Sequence, residues 1–313
     1  FYGELNTSTA FSRTADEGAL LMHTHINPST LIFNDTIWQM KPADLTVADK
    51  RVEVHNFEIS HAPQYILIDG VASDQENDLL NIQLNDVDLD YIFGTLNIKH
   101  VSFGGNATGN LVASHLFTPA PRLSTEQFDV RNFAYNGAVF GDLHLFSMWD
   151  NDNQGILMKG FVENPEEKQT YIDGYIFPTR DSLALSFDPD RLNIAFLQPF
   201  VETVMTDVSG VASGHIDFYG NFKALNVTGD AYVENFNFGI GYLNTRYTLT
   251  DSIHFSPTRI WFDNVTVYDK LRHTAKGSGW LSHHNFKDLA YDIAITDARD
   301  FLSYDMTKRQ SPT

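Results

Sequence analysis

A strand pattern that slips by one residue constrains this chain more than any other feature of its sequence. Val52-x-Val54-x-Asn56-Phe57-x-Ile59 is apolar at alternate positions, loses phase at Asn56, and then alternates again. The same template, with Asn, Asp or His at the slip, recurs at 82–89, 96–103, 128–135, 231–238 and 260–267. In a strand of period two, a plain one-residue slip turns the whole apolar set to the opposite face. An inserted residue that forms a bulge bends the strand and returns the set to its own face. A two-residue hairpin at the Asn also keeps both flanks on one face, but it leaves arms of only three residues, short for a hairpin. The pattern therefore predicts bulged strands, with the hairpin as the rival.

Elsewhere the alternation is plain, as in Leu183-x-Leu185-x-Phe187, Leu143-x-Leu145 and Tyr291-x-Ile293-x-Ile295. Turn clusters such as Asn151-Asp152-Asn153-Gln154-Gly155 and Asn164-Pro165-Glu166-Glu167 punctuate it, so the sheet is expected to be mostly antiparallel. Two short helices are predicted, at 194–205, where Phe196, Leu197, Phe200, Val201 and Val204 recur at helical spacing, and at 88–96. Aromatic residues make up 13% of the chain beside Asp- and Asn-rich turns, a combination that suits a β protein.

Charge and cysteine content narrow the function. Lys and Arg number 21 against 40 Asp and Glu, a net charge of −19 that repels polyanions, so no nucleic-acid partner is expected. With no cysteine, disulfides, thiolate catalysis and Cys-ligated zinc are excluded. No uninterrupted apolar run exceeds four residues, too short for a membrane-spanning helix. The opening Phe1-Tyr2-Gly3-Glu4-Leu5 reads as a strand in progress, and the chain is expected to be excised from a longer one.

A longer repeat lies over the strands. Gly105-Asn106-Ala107-Thr108-Gly109-Asn110-Leu111 matches Gly210-Val211-Ala212-Ser213-Gly214-His215-Ile216, and at the same offset Val87-Asp88-Leu89 falls on Leu192-Asn193-Ile194 and Tyr91-Ile92 on Phe196-Leu197. Modules of about 1–93, 94–198 and 199–302 follow, and without any linker between them they are expected to add strands to one continuous, elongated sheet.

The string Asp207-Val208-Ser209-Gly210-Val211-Ala212-Ser213-Gly214-His215-Ile216-Asp217-Phe218-Tyr219-Gly220-Asn221-Phe222, followed by Asn226-Val227-Thr228-Gly229-Asp230-Ala231-Tyr232-Val233, resembles the repeated unit of the TamB-like proteins of the AsmA-like superfamily. Phe196-Leu197-Gln198-Pro199-Phe200, Asn34-Asp35-Thr36-Ile37-Trp38 and Asn285-Phe286-Lys287-Asp288-Leu289 extend the likeness over most of the chain in scattered blocks. The resemblance implies an all-β fold whose sheet curls into a U-shaped apolar groove, the β-taco. It also implies a parent protein anchored in the inner membrane of a Gram-negative envelope and crossing the periplasm. Its cargo would be phospholipid or another acyl-chain molecule, and a BamA-like outer-membrane barrel would be met through parts of the parent outside this segment.

On that reading the groove is lined by Val52, Val54, Phe57, Ile59, Ile82, Leu84, Val87, Leu89, Leu96, Ile98, Val101, Phe103, Phe128, Val130, Phe133, Val233, Phe236, Phe238, Ile260, Phe262, Val265 and Val267. A plain closed core is the bland alternative for each. A different class of function, an extended adhesive or structural array, would use Trp38, Trp149, Trp261 and Trp280 on an outer face for glycan or protein contact.

No catalysis, metal or cofactor is expected. His23-x-His25 and His283-His284, with His254, offer half of a tetrahedral site at most. Asp150-Asn151-Asp152-Asn153-Gln154-Gly155 starts like a calcium loop, but Phe161 stands where a bidentate Glu is needed, so a hairpin turn is predicted. Gly210-Val211-Ala212-Ser213-Gly214 lacks the central Ser of a nucleophile elbow, and its small residues are expected to let strand backbones approach closely. Asp35-Thr36-Ile37, Asp181-Ser182-Leu183 and Asp251-Ser252-Ile253 match an Asp-Ser/Thr-aliphatic glycosylation sequon, but read more simply as turn-to-strand transitions.

Overall fold

A computed structural model describes residues 2–13, 18–33, 35–90, 103–202, 205–284 and 287–304. The protein is all-β, 73% strand against 6% helix, and its described strands form one large antiparallel sheet that is not closed into a barrel. Two compact units are distinguished, Phe1–Phe133 with Asp142–Gly160 and Tyr175–Asp181, and Ala134–Gly141 with Phe161–Gly174 and Ser182–Thr313.

The slipped template is a bulge at every described occurrence. Asn56, Asp86, Asn132, Asn235 and Asn264 each sit inside a continuous strand with φ between 50° and 54°. Between the paired residues Val54 and Phe57, Val233 and Phe236, and Phe262 and Val265 the register jumps, two residues on the bulged strand facing one on its partner. Asn and Asp tolerate this left-handed conformation, whereas β-branched residues do not. The bulge leaves its own N–H out of the ladder, and a side-chain oxygen on the next strand accepts it each time. The acceptors are Asp69 Oδ1 and Asp142 Oδ1 at 2.9 Å, Thr108 Oγ1 and Thr250 Oγ1 at 2.9 Å, and Ser278 Oγ at 2.8 Å. The hairpin alternative is thus discarded. A related geometry lies in the bend between Ser182–Asp188 and Leu192–Asn193, where Arg191 has φ 55° and its N–H on Ser213 Oγ at 2.9 Å, and it escapes the template because the left-handed residue is Arg. The template at 96–103 lies almost wholly outside the described residues.

In the first unit Leu20–Ile26 pairs with Ala43–Ala48, which pairs with Arg51–His61, followed by Gln64–Ser73, Leu79–Asp88 and Phe103–Ser114 in hairpin succession. The hairpin of Ser29–Phe33 and Thr36–Met40 joins through Met40 opposite Ile59. Ile26, Leu31, Trp38, Met40 and Ala43 bury themselves together there, with Leu45, Phe57 and Ile59 against them.

In the second unit Ser182–Asp188 and Leu192–Asn193 both pair with Thr206–Asn221. Ala224–Ile240, Thr245–Ser256, Arg259–Asp269, Thr274–His284 and Lys287–Thr296 follow in order. Gly105 and Gly210, the paired glycines of the long repeat, have φ of 111° and 133° and face bulges. A Cβ on Gly105 would lie 2.7 Å from Arg131 O and 2.9 Å from Asn132 O, and one on Gly210 2.7 Å from Asn235 O and 2.9 Å from Glu234 O. Close backbone approach opposite a bulge is what the repeated motif provides.

The predicted helix at 194–205 is shorter than expected, a 3-10 turn Ile194–Leu197 running into an α-turn Gln198–Val201. The Asn193 side chain accepts Ala195 N–H at its start, and the Gln198 carboxamide takes Val208 N–H and donates to Met205 O beyond its end, so side chains stop it at two turns. Of the helix predicted at 88–96, Asp88 is strand, Leu89–Asp90 are helical, and the rest lies outside the described residues.

Candidate functional site

Pairing fixes the face of every side chain. In the second unit Phe187, Ile216, Gly229, Phe255, Ile260, Leu281 and Tyr291 are direct partners from strand to strand, so they form one apolar row across seven strands. At about 4.8 Å per strand the row is roughly 29 Å long, more than the half-thickness of a bilayer core, about 15 Å, that one acyl chain fills. No member is buried: Tyr291 is 57% exposed and the others are half-buried. Beyond the bulges the same face is closed, with Ala212, Val233, Tyr247, Leu249, Val265 and Val267 all 8% exposed or less. The first unit has a shorter half-buried row, Phe57, Ile68, Ile82 and Leu111.

Two segments lie on the closed part. Ile194 and Leu197 pack into the Val233–Val267 cluster, while Phe196 meets Phe140 edge-on at 5.3 Å. From the other side comes Phe301, stacked on Tyr247 at 5.5 Å. Tyr247 Oη donates toward Leu302 O at 3.3 Å and Ser303 O at 3.4 Å, and Leu302 N–H donates to Asp269 Oδ2 at 2.8 Å. Burial pushes the Asp269 carboxyl up, but N–H donors from Leu302, His273 and Leu271 outweigh it and hold it below the usual range.

The sequence-predicted groove residues divide along this line. Val54, Leu84, Val87, Leu89, Val130, Val233, Val265 and Val267 are buried, whereas Val52, Phe57, Ile59, Ile82, Phe103, Phe128, Phe133, Phe236, Phe238, Ile260 and Phe262 are half-buried. Leu96, Ile98 and Val101 lie outside the described residues. Sequence reasoning missed Phe187, Ile216, Phe255, Leu281 and Tyr291. Each stands at an alternate position of a strand away from the bulge template, and only the pairing register aligns them.

The opposite face is polar. Glu58, Arg131 and Glu234, next to groove positions, are ion-paired with Lys41, Asp86 and Arg191. A row of direct partners, His215, Asp230, His254, Trp261, Trp280 and Asp292, crosses it. His254 bonds Asp230 and stacks on Trp261 at 5.3 Å, and the Arg259 guanidinium lies 4.7 Å above Trp280. A hydrogen bond from its ring to the Asp188 carboxylate raises the His215 pKa, with Asp217 adding to it. Trp38, at 2% exposure, belongs to the core and not to an outer face, and Trp149 lies half-buried under Arg122.

The other motifs have local explanations. His25 pairs with Asp44 at 2.7 Å and His23 with Thr46 at 3.1 Å, and among the described residues no three metal-binding side chains converge. Residues 151–154 form a turn between Ala138–Asp150 and Gly155–Glu163, and the Asp150 carboxylate accepts Asp152 N–H, Asn153 N–H and Nδ2, and Tyr175 Oη. Asp35 and Asp181 end turns with left-handed φ just before strands, whereas Asp251-Ser252-Ile253 lies inside Thr245–Ser256. Among the described residues no helix is long and apolar enough to cross a membrane. No known family, curated protein or solved structure matches the chain.

Proposed function

We propose that this chain is a non-catalytic segment of a TamB-like protein that carries or shields phospholipid acyl chains between the inner and outer membranes. It would act in the periplasm of a Gram-negative envelope, with the parent protein anchored in the inner membrane, in lipid carriage, in assisting outer-membrane protein assembly, or in both. The observation that carries the reading is the half-exposed apolar row from Phe187 to Tyr291, continuous across seven paired strands. Burial is worth about 0.8 kcal/mol per methylene, so an acyl chain of about sixteen carbons loses on the order of ten kcal/mol in bare water. Lying on such a row offsets much of that.

Photo-crosslinking residues at Phe57, Phe255 and Ile260, in the intact parent protein with phospholipid carrying radiolabelled acyl chains, test it. Capture at these positions and not at Glu58 or His254 is expected. Phe255→Asp is expected to abolish capture while the far-UV spectrum persists, because a carboxylate beside a half-open row still reaches water. Equal capture on both faces, or crosslinks to protein alone, would overturn the reading.

The pairing of Trp261 with Trp280 on the polar face keeps one alternative, an adhesive array that contacts glycans or proteins. Loss of glycan-array binding on Trp261→Ala, without loss of acyl capture, would favour it.

A further inference from the structure

The segment Asp297–Tyr304 leaves the strand Lys287–Thr296 and returns across the apolar face, Phe301 stacking on Tyr247 and Leu302 N–H reaching Asp269. Phe196-Leu197 and Phe301-Leu302 are the same aromatic-Leu pair 105 residues apart, and both reach the same apolar cluster.

The two attachments differ in depth. Ile194 is buried at 4%, and its segment is bound at both ends by Asn193 and Gln198. The later segment is exposed from 297 to 300, half-buried only at Phe301 and Leu302, and exposed again at 303 and 304. Among the described residues its hold is the packing of Phe301 on the cluster with one ring stack, the Tyr247 hydroxyl shared between two carbonyls, the Leu302 amide on Asp269, and a long Arg299 N–H to Thr274 O contact of 3.5 Å. Few buried contacts and much exposed backbone are the features of segments that open locally.

We propose that residues 297–304 are a strap over the Tyr247 end of the apolar face, which lifts to admit an acyl chain to Phe236, Phe238 and Val267. The inference rests on the lipid-carrying reading above for the identity of what is admitted, but not for the lifting itself. Phe236 and Phe238 lie with ring centroids 5.0 Å apart, and Phe238 is 5.8 Å from the Tyr247 ring that Phe301 covers, so the strap closes an aromatic cluster and not an isolated side chain. The Phe187–Tyr291 row is already half-open and needs no such step.

The absence of native cysteine makes the test clean. Thr274→Cys with Arg299→Cys, whose backbones approach to 3.5 Å, allows the strap to be locked by one disulfide and freed by reductant in a single protein. Photo-crosslinkers at Phe238 and at Ile260 then report capture of a radiolabelled phospholipid. Locking is expected to cut capture at Phe238 by about tenfold or more, with reductant restoring it, and to leave Ile260 unchanged. Equal capture at Phe238 in both states, with Ile260 active, would overturn the strap while sparing the row. Silence at Ile260 in both states would count against the row itself, and hydrogen exchange then decides the strap without any ligand. The Leu302 amide is expected to exchange far faster than that of Val265, through local opening. Exchange as slow as the core would show that the strap never lifts and would end the proposal.

Discussion

At the scale of single residues, the bulge is a paired device, a left-handed Asn or Asp and an oxygen on the next strand that takes its amide. Asn264 and Ser278 show both halves, at φ 52° and 2.8 Å. Asn264→Gly is expected to fold normally, whereas Asn264→Val should cost about 1–2 kcal/mol by forcing a β-branched side chain into that conformation. Ser278→Ala should cost about 1 kcal/mol by leaving the amide unmatched. Shifts of the urea midpoint at constant slope measure all three. Val265, at 1% exposure, packs at the same turn of the strand, and Val265→Ala is expected to cost about 2 kcal/mol. These positions were legible in the sequence because the slip residue and its apolar flanks are contiguous. Arg191 was not, since nothing about an Arg announces left-handed backbone.

At the scale of elements, turns and edges set local stability. The Asn153 side chain and amide, with the Tyr175 hydroxyl, hold the Asp150 carboxyl down at about 2. A carboxylate with a depressed folded pKa stabilises the fold above its ordinary range and loses that contribution as pH falls toward the folded value. Carbon-detected NMR of the intact chain is therefore expected to show Asp150 titrating near 2 and, in Tyr175→Phe, at a higher pH. The strand Lys287–Thr296 pairs on one side only among the described residues, and Tyr291, Ile293 and Ile295 are about half-exposed. Its amides are expected to exchange orders of magnitude faster than those of Ala224–Ile240, which is paired on both sides, in a native-state exchange series.

At the scale of the whole molecule, charge dominates. A net −19 carried on solvated faces repels itself, and salt screens that repulsion. The melting temperature is expected to rise between about 10 mM and 0.5 M sodium chloride, with the Debye length shortening from about 30 Å toward a few ångströms. A flat or falling response would show that ion pairs such as Arg131–Asp86 and Arg191–Glu234 outweigh the net repulsion.

What the sequence determined by itself was local: strand identity from period two, bulges from the slipped template, the turn at 151–154 from its Asx residues, and the short glycine strings around Gly105 and Gly210. Each depends on residues within a few positions of one another, where backbone sterics and side-chain alternation act directly. Only the tertiary structure decided which apolar residues are core and which are surface. Val265 and Ile260 share a strand, a face and a hydrophobicity, yet Val265 is closed over by packing and Ile260 is half-open. The difference lies in segments from 194 and 301 that cross one end of the face and not the other. The same holds for Trp38, whose burial depends on a hairpin joining Ile59 across the sheet. Burial is a property of what arrives from elsewhere in the chain, and a period of two records only the side from which it can arrive.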